Sequence, residues 1–292
     1  MTKPTPALLE VYAPLSDFPW RGTNYSGFPG LEISNSRPDL HGLDDSLARD
    51  EVKVVKAASH WLIFEWLYGS KPSASETINL LLLALWLTHP TKTQVCFSFR
   101  SNVQHPGTGA FRRLLDRFNW NRLSVRDILT TANLNRAAYY YKQMRPVVER
   151  RGRLFHSLML SMAGCMECQW HAALLCQAAA VETLLSYSKR PGITDRLAKS
   201  FACMVHRSNG KRDSAFKSFR ALYGVRSDVV HGRLFQVPHR DKLRSLARME
   251  LAAKRIWRPI LKSPNLQRAL EGSDSVREGY FKSREAGYVP PP

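Results

Sequence analysis

Apolar residues recur at helical spacing through most of the second half of the chain. They come every three or four positions, as on one face of an α-helix, and turn residues such as Pro191, Gly192 and Gly210 separate the runs. The predicted helices span about 134–163, 167–187, 193–205, 212–230 and 239–262. The first of these is expected to break near Pro146 or Gly152. The pattern therefore predicts a helical bundle.

The first half of the chain is more mixed. Residues 1–45 lack periodicity and are rich in Pro, Gly, Ser and Asn, which predicts an irregular N-terminal arm with a short strand near 30–34. An amphipathic pattern follows over about 46–68. Ser73 and Glu76 then have the spacing of a capping box before the apolar run INLLLLALWL, which predicts a central helix.

Three further segments complete the predicted organisation. Residues 91–107 alternate locally and predict a short strand or an extended loop, whereas 109–119 and 124–132 predict short helices. The polar end of the chain, with its three final prolines, predicts a flexible tail. The predicted regions are an irregular arm at 1–45, a helical or mixed region at 46–130, a helical bundle at 131–271 and the tail at 272–292. The predicted fold class is mainly α, with a smaller, mixed or helical N-terminal part.

The charge indicates an anionic partner. Lys and Arg total 43 against 24 Asp and Glu, which gives a net charge of +19. Nucleic acid, a membrane surface or an acidic protein would suit this excess, and a basic surface that only aids solubility is the simpler alternative. The longest apolar run is too short to cross a bilayer, and no signal peptide is evident, so we expect a cytoplasmic protein without a membrane partner.

Cysteine and histidine residues raise a zinc alternative. Cys165, Cys168, His171 and Cys176 lie within twelve residues. This segment has the pattern of continuous helix, which would spread the ligands in angle, so small buried core residues are the favoured interpretation. We therefore predict no metal and no other cofactor.

Arg226 stands out in the helix predicted over 212–230. It follows Phe219 and Leu222 at helical spacing, with Val230 one turn later, which places a charge on the apolar stripe. Such a charge needs a partner. Glu182 also lies on an apolar face and would pair with Arg226, and a purely structural ion pair is the simplest interpretation.

His231 follows Arg226 by five residues, which on a regular helix separates the two side chains by about 140°. They would converge only if the helix unwound before Gly232 or if two subunits each contributed one side chain. If they did converge, His231 could act as a general base toward a ribose 2′-OH, and Arg226 could stabilise charge on phosphate. The alternative is a histidine that only caps the helix.

The segment LYGVRSDVVHGR, residues 222–233, resembles the closing motif of the Apea-like HEPN family. The shared positions are Tyr223, Arg226, Ser227, His231 and Gly232. Upstream, AAAVETLLSY is similar to the family helix that carries a fixed glutamate, here Glu182, and ITDRLAKSFACMV is similar to the helix between them. The resemblance covers about residues 75–270, with Trp86 standing where the family more commonly has Arg.

The resemblance implies a HEPN-like helical bundle that pairs as a homodimer. It also implies a metal-independent endoribonuclease of toxin or antiphage-defence type, with Arg226 and His231 catalytic. In such a site Glu182 would hold Arg226, Ser227 or Asp228 would help position the phosphate, and Tyr223 would support them. Some members of the family do not cleave RNA, so a non-catalytic RNA-binding or protein-interaction module is the alternative.

Basic residues of the first half are candidates for contacting RNA. The candidates are Arg112, Arg113, Arg117, Arg136 and Arg145. Tyr139, Tyr140 and Tyr141 lie among the last of them and could stack on bases. Helix packing beneath a solvated basic face is the plainer interpretation. The predicted partners are RNA and a second copy of the chain, with the N-terminal region a candidate docking segment for a partner protein.

Overall fold

The computed structural model describes residues 7–40, 42–45, 47–89, 91–105, 109–113, 128–187, 192–233 and 238–291. About 60% of it is helical, so the mainly α class is confirmed. The chain divides into two compact units, residues 1–149 and 150–292. The predicted boundary at 131 is wrong, because the helix that begins there belongs to the first unit. Its Tyr141 packs edge-to-face on Phe28, and its Asn135 accepts a hydrogen bond from Tyr25.

The first unit contains an antiparallel sheet. Its described strands are β1 (Leu8–Leu15), β2 (Asn24–Tyr25), β3 (Glu32–Ser34), β4 (His60–Leu67), β5 (Phe97–Asn102) and β6 (Gly109–Arg113). They lie in the order β2-β3-β4-β1-β5-β6. In the register, Val11 of β1 lies between Phe64 of β4 and Arg100 of β5. The strands predicted near 30–34 and within 91–107 are therefore confirmed.

Helices pack against part of each face of this sheet. The helices are α1 (Arg49–Ala57), α2 (Ala74–Thr88) and α3 (Thr131–Arg150). On one face, Val55 of α1 packs with Tyr12, Trp61 and Phe99. On the other, Thr77 of α2 and Tyr141 of α3 share a small cavity with Phe64 and Trp66. We call these the α1 face and the α2–α3 face.

The predicted capping box of α2 is present. The Ser73 hydroxyl accepts from the Glu76 N–H at 3.2 Å, and the Glu76 carboxylate accepts from the Ser73 N–H at 2.8 Å. The helix is buried on almost every side from Ile78 to Leu87. This agrees with the central position that its all-round apolar composition predicts.

The second unit is helical in its described residues. Its helices are α4 (Arg153–Met166), α5 (Trp170–Leu185), α6 (Ile193–Val205), α7 (Asn209–Val230), α8 (His239–Lys262), α9 (Pro264–Glu271) and α10 (Asp274–Glu285). Helices α4 and α5 form an antiparallel hairpin, in which Gln177 donates to the Ser161 carbonyl at 2.9 Å. Trp257 of α8 is fully buried and donates to the Ser161 hydroxyl at 3.4 Å. The predicted break near Gly152 is confirmed between α3 and α4.

Two predictions for the first unit are wrong. The N-terminal arm is not irregular, because β1 occupies the centre of the sheet and is buried along its last five residues. The first of the two short helices is also wrong over 109–113, where β6 pairs with β5. Pairing with distant strands outweighs local propensity in both segments. Residues 114–127, where half of the residues of the two predicted helices fall, lie outside the described residues.

Two predictions for the second unit also need correction. The tail is not extended and mobile: α10 buries Phe281, whose ring stacks on Tyr187 at 5.2 Å between centroids. The segment 165–176 is not one helix, because α4 ends at Met166 and α5 begins at Trp170. The Glu167 carboxylate accepts the Gln169 N–H at 2.8 Å and so competes with continued helix. Across the described ranges, no helix combines the length and the apolarity needed to cross a bilayer.

Phe281→Ala tests the packed tail. Phe281 is 1% exposed, so its removal should lower the free energy of unfolding by about 3 kcal/mol or more, measured by urea denaturation. Val276→Ala, five residues earlier in the same helix at a residue 51% exposed, should change it by less than about 0.5 kcal/mol. Equal, small effects of both substitutions would contradict docking of α10.

Candidate functional site

Three side chains of the second unit form a polar cluster, which we call the Glu182 cluster: Glu182, Tyr223 and Arg226. Glu182 lies in the last turn of α5, and the other two lie one turn apart on α7. The Tyr223 hydroxyl donates to Glu182 Oε2 at 2.8 Å, and Arg226 Nη2 lies 3.8 Å from the same oxygen. The guanidinium carbon lies 5.6 Å from the centre of the Tyr223 ring. The predicted ion pair between Arg226 and Glu182 is therefore present.

Tyr223 anchors this cluster. Its side chain is buried, and burial, followed by the hydrogen bond to the Glu182 carboxylate, raises the pKa of its hydroxyl. The phenol therefore stays protonated and keeps donating to Glu182 through the physiological pH range. The carboxylate is thus held by a fixed, neutral donor.

Arg226 lies at the margin of the core. Phe219 and Leu222 are buried, but the Arg226 side chain is 36% exposed and Val230 is 52% exposed. The predicted apolar stripe therefore reaches the surface in the last two turns of α7. The guanidinium faces solvent as well as Glu182, and the inward position predicted for it is corrected to a half-buried one.

The end of α7 fixes the direction of His231. The helix continues regularly past Arg226, and the His231 N–H still bonds to the Ser227 carbonyl at 3.0 Å. His231 itself has φ −89° and ψ 8°, and only Gly232 adopts a positive φ, of 66°. The unwinding that would turn His231 toward Arg226 is therefore not present. In one chain the two side chains leave the helix about 140° apart.

The remaining predicted site residues lie on the same turns. Ser227 and Asp228 are half-buried, and His231 is exposed. Asp228 forms an ion pair with Arg233 at 4.0 Å, and its carbonyl accepts the Arg233 N–H at 2.8 Å. The carboxylate and the carbonyl of Asp228 therefore both contact Arg233 in the turn that ends α7.

The predicted RNA-contacting arginines lie in the first unit. Arg112 and Arg136 are exposed, and Arg145 is half-buried beside a small cavity. Arg117 and the side chain of Arg113 lie outside the described residues. Of the three consecutive tyrosines, Tyr140 and Tyr141 are buried and only Tyr139 is exposed, at 42%. The packing interpretation therefore fits two of the three.

Helix α8 carries a row of arginines that the sequence prediction did not single out. Arg240, Arg244, Arg248 and Arg255 are all exposed. Their steps of four, four and seven residues place them on one face of the helix. Arg248 and Arg255 border a cavity of about 350 Å³ whose lining includes Phe219 and Leu222 of α7. The spacing of these arginines is visible in the sequence and is the signal that could have identified them.

The cysteines of the zinc alternative do not converge. Cys165 is buried, whereas Cys168 is exposed in the break between α4 and α5. Cys165 accepts a weak hydrogen bond from Gln177 at 3.5 Å. In the part of the chain that the structure describes, no three His, Cys, Asp or Glu side chains are grouped to hold a metal ion.

Comparison of the chain with family models, with curated proteins and with solved structures gives no match. The geometry of the Glu182 cluster and the end of α7 therefore carries the functional interpretation.

Tyr223→Phe tests the anchor. Removing the hydroxyl deletes the hydrogen bond to Glu182, whose carboxylate is 27% exposed. The free energy of unfolding should therefore fall by about 1 kcal/mol. Urea denaturation measures the loss. The matched change Tyr139→Phe, at an exposed tyrosine, should have no measurable effect. Equal midpoints for Tyr223→Phe and the wild type would contradict the anchoring role.

Proposed function

We propose that the protein is a HEPN-type, metal-independent endoribonuclease in which Arg226 and His231 act together across a two-fold dimer. The observation that carries the proposal is a half-exposed guanidinium held by an anchored carboxylate, five residues before an exposed imidazole at a helix end. The resemblance of residues 222–233 to the Apea-like HEPN motif supports the same assignment. It also suggests a toxin or antiphage role.

The chemistry needs only these two groups and the substrate. His231 takes the proton from a ribose 2′-OH, and the 2′ oxygen attacks the neighbouring phosphorus. The bond from phosphorus to the 5′ oxygen breaks, and the protonated His231 returns its proton to that oxygen, which leaves the imidazole neutral again. The products are a 2′,3′-cyclic phosphate and a 5′-hydroxyl. Arg226 stabilises the negative charge that grows on the phosphoryl oxygens.

The geometry around Arg226 suits this role. Its separation of 3.8 Å from Glu182 exceeds hydrogen-bond length, so the contact is an ion pair that orients the guanidinium. The tight hydrogen bond to that carboxylate oxygen comes from Tyr223 instead. The N–H groups of Arg226 are thereby left for a phosphate, which guanidinium can bind through two parallel hydrogen bonds.

A dimer would resolve the divergence of the two side chains. A two-fold axis near the ends of two α7 helices would bring Arg226 of one protomer toward His231 of the other. Val230 lies between Arg226 and His231 in the sequence. It is exposed in the single chain, and a second copy could cover it. Each dimer would then hold two composite sites.

The cleavage test uses purified protein, labelled single-stranded RNA and EDTA. Wild type should give a 2′,3′-cyclic phosphate end, and His231→Ala and Arg226→Ala should each lower the rate by at least about a hundredfold. His239→Ala and Arg207→Ala, at exposed residues of the same unit, are matched controls and should retain the wild-type rate. Cleavage by His231→Ala at the wild-type rate would refute the mechanism.

Mixing Arg226→Ala with His231→Ala protein tests the composite site. If each site uses Arg226 and His231 from different protomers, a heterodimer restores one intact site. Subunit exchange at equal amounts should then recover about a quarter of the wild-type rate. No recovery, with exchange verified by mass spectrometry, would contradict a site composed of residues from two protomers.

One observation favours a non-catalytic alternative. Because α7 stays regular to Val230, the side chains of Arg226 and His231 point in different directions in a monomer. The same fold would then serve as an RNA-binding or protein-interaction module, with Arg226 structural. That module would bind RNA in a salt-dependent manner without producing a cyclic phosphate end.

A further inference from the structure

The α2–α3 face of the N-terminal sheet carries a row of aromatic and cationic side chains that the proposed site does not use. The row consists of Tyr68, Trp66, Arg100 and Arg112, and we call it the aromatic–arginine row. Trp66 lies in β4, with Tyr68 directly after it, while Arg100 and Arg112 lie in β5 and β6. All four belong to the first unit.

Contacts join neighbouring members of the row. The Tyr68 and Trp66 rings meet edge-to-face, with centroids 5.7 Å apart. The Arg100 guanidinium reaches across β1 and lies 5.1 Å from the centre of the Trp66 ring. In the β5–β6 register Arg100 pairs with Ala110, so Arg112, two residues on, is its diagonal neighbour on the same face.

The two guanidiniums are close enough to repel. Burial, followed by the positive charge of Arg112, lowers the pKa of Arg100. Two like charges held side by side on a sheet are destabilising unless an anion is placed between them. The row therefore has the electrostatics of a site that gains from binding an anionic group.

The acidic residues of the sheet lie on the opposite face. In the described strands these are Glu10, Glu32 and Glu65, which register and strand alternation place on the α1 face. By register, the row therefore shares its face with no strand carboxylate. Lys71, Arg145 and the acid Glu65 border a cavity of about 180 Å³ that Trp66 also lines, so two cations stand there against one carboxylate.

We infer that the aromatic–arginine row binds two or three nucleotides of single-stranded RNA. Tyr68 is 64% exposed and offers a ring face for a base, while Arg100 and Arg112 would contact the phosphates. From Tyr68 to Arg112 the row crosses three strand intervals, about 14 Å. The choice of RNA rests on the proposed function, but binding at the row does not depend on cleavage.

An exposed ring beside guanidiniums favours a single strand over other anionic partners. Unpaired bases can stack on an aromatic ring, whereas the bases of an RNA duplex are stacked on one another and hidden. An acidic protein or an anionic membrane would use the charges but would gain less from the exposed Tyr68 ring. These alternatives become outcomes of the test.

The binding test uses the full chain with Arg226→Ala and His231→Ala, so that the probe stays intact. The probe is a fluorescein-labelled 12-nucleotide oligouridine followed by fluorescence anisotropy. Adding Tyr68→Ala should raise the Kd by at least about fivefold, because it removes the stacking of one base on an aromatic ring. Adding Arg112→Gln should lower the slope of log affinity against log salt by about 0.7, since one phosphate contact is lost.

Matched controls separate the row from general basicity. Tyr280→Ala removes a half-buried ring from α10 of the second unit, and Lys56→Ala removes one exposed charge from α1, on the other side of the sheet. Both should keep the Kd within twofold. Equal losses in Tyr68→Ala and Tyr280→Ala would overturn the inference.

Two competitor probes complete the test. A 12-base-pair RNA duplex should bind more weakly than oligouridine, and vesicles of phosphatidylcholine and phosphatidylserine should not compete. Duplex binding that equals single-strand binding, or binding to vesicles alone, would overturn the inference. Because the protein used here lacks the Arg226 and His231 side chains, this assay measures binding alone. Cleavage is measured in the separate RNA-cleavage test, so the two losses can be told apart.

Discussion

The unbroken hydrogen bonding of α7 is the constraint on which the candidate chemistry depends. Each helical residue advances the side-chain direction by about 100°, so five residues separate Arg226 from His231 by more than a third of a turn. The helix keeps this geometry until His231, whose N–H still bonds within the helix. A regular helix therefore directs Arg226 toward α5 and His231 elsewhere, and in the proposed enzyme the end of a second α7 helix would bring the two groups together.

The Glu182 cluster shows how an arginine can be held without being neutralised by hydrogen bonds. Arg226 and Glu182 are both partly exposed, and ion pairs of this kind contribute at most about 1 kcal/mol to stability. The stronger contact is the hydrogen bond from buried Tyr223. The fold therefore depends little on Arg226, and its position agrees better with contacting a ligand than with holding two helices together.

Local sequence determined part of this structure. The helices over 193–205 and 239–262 and the capping box of Ser73 and Glu76 follow from short-range pattern, and the structure contains all of them. The pairing of Arg226 with Glu182 is predicted by the position of each charge on an apolar helix face, and it is also present. Strand β1 could not be predicted in this way. It is buried along both faces, so it lacks alternation, and its partner β4 lies about fifty residues further along the chain.

Contacts between residues far apart in the sequence explain the other differences between the predicted and the observed structure. Helix α10 is polar in composition, and its docking depends on Phe281 reaching Tyr187 far away in the sequence. The proposed meeting of Arg226 and His231 is harder still to predict, because it would depend on a second copy of the chain that no pattern in one chain describes. The arginine row of α8, by contrast, repeats at helical spacing and could have been recognised.

Single-strand binding and 2′-OH attack place the same demand on the substrate. The attacking oxygen, the phosphorus and the leaving oxygen must come into line, which a regular RNA duplex does not permit and a flexible strand does. The positive charge of this chain would attract both forms of RNA without distinguishing them. Exposed aromatic rings discriminate where charge cannot, because only unpaired bases can stack on them. In the proposed enzyme, a surface such as the aromatic–arginine row therefore selects the form of RNA on which Arg226 and His231 are able to act.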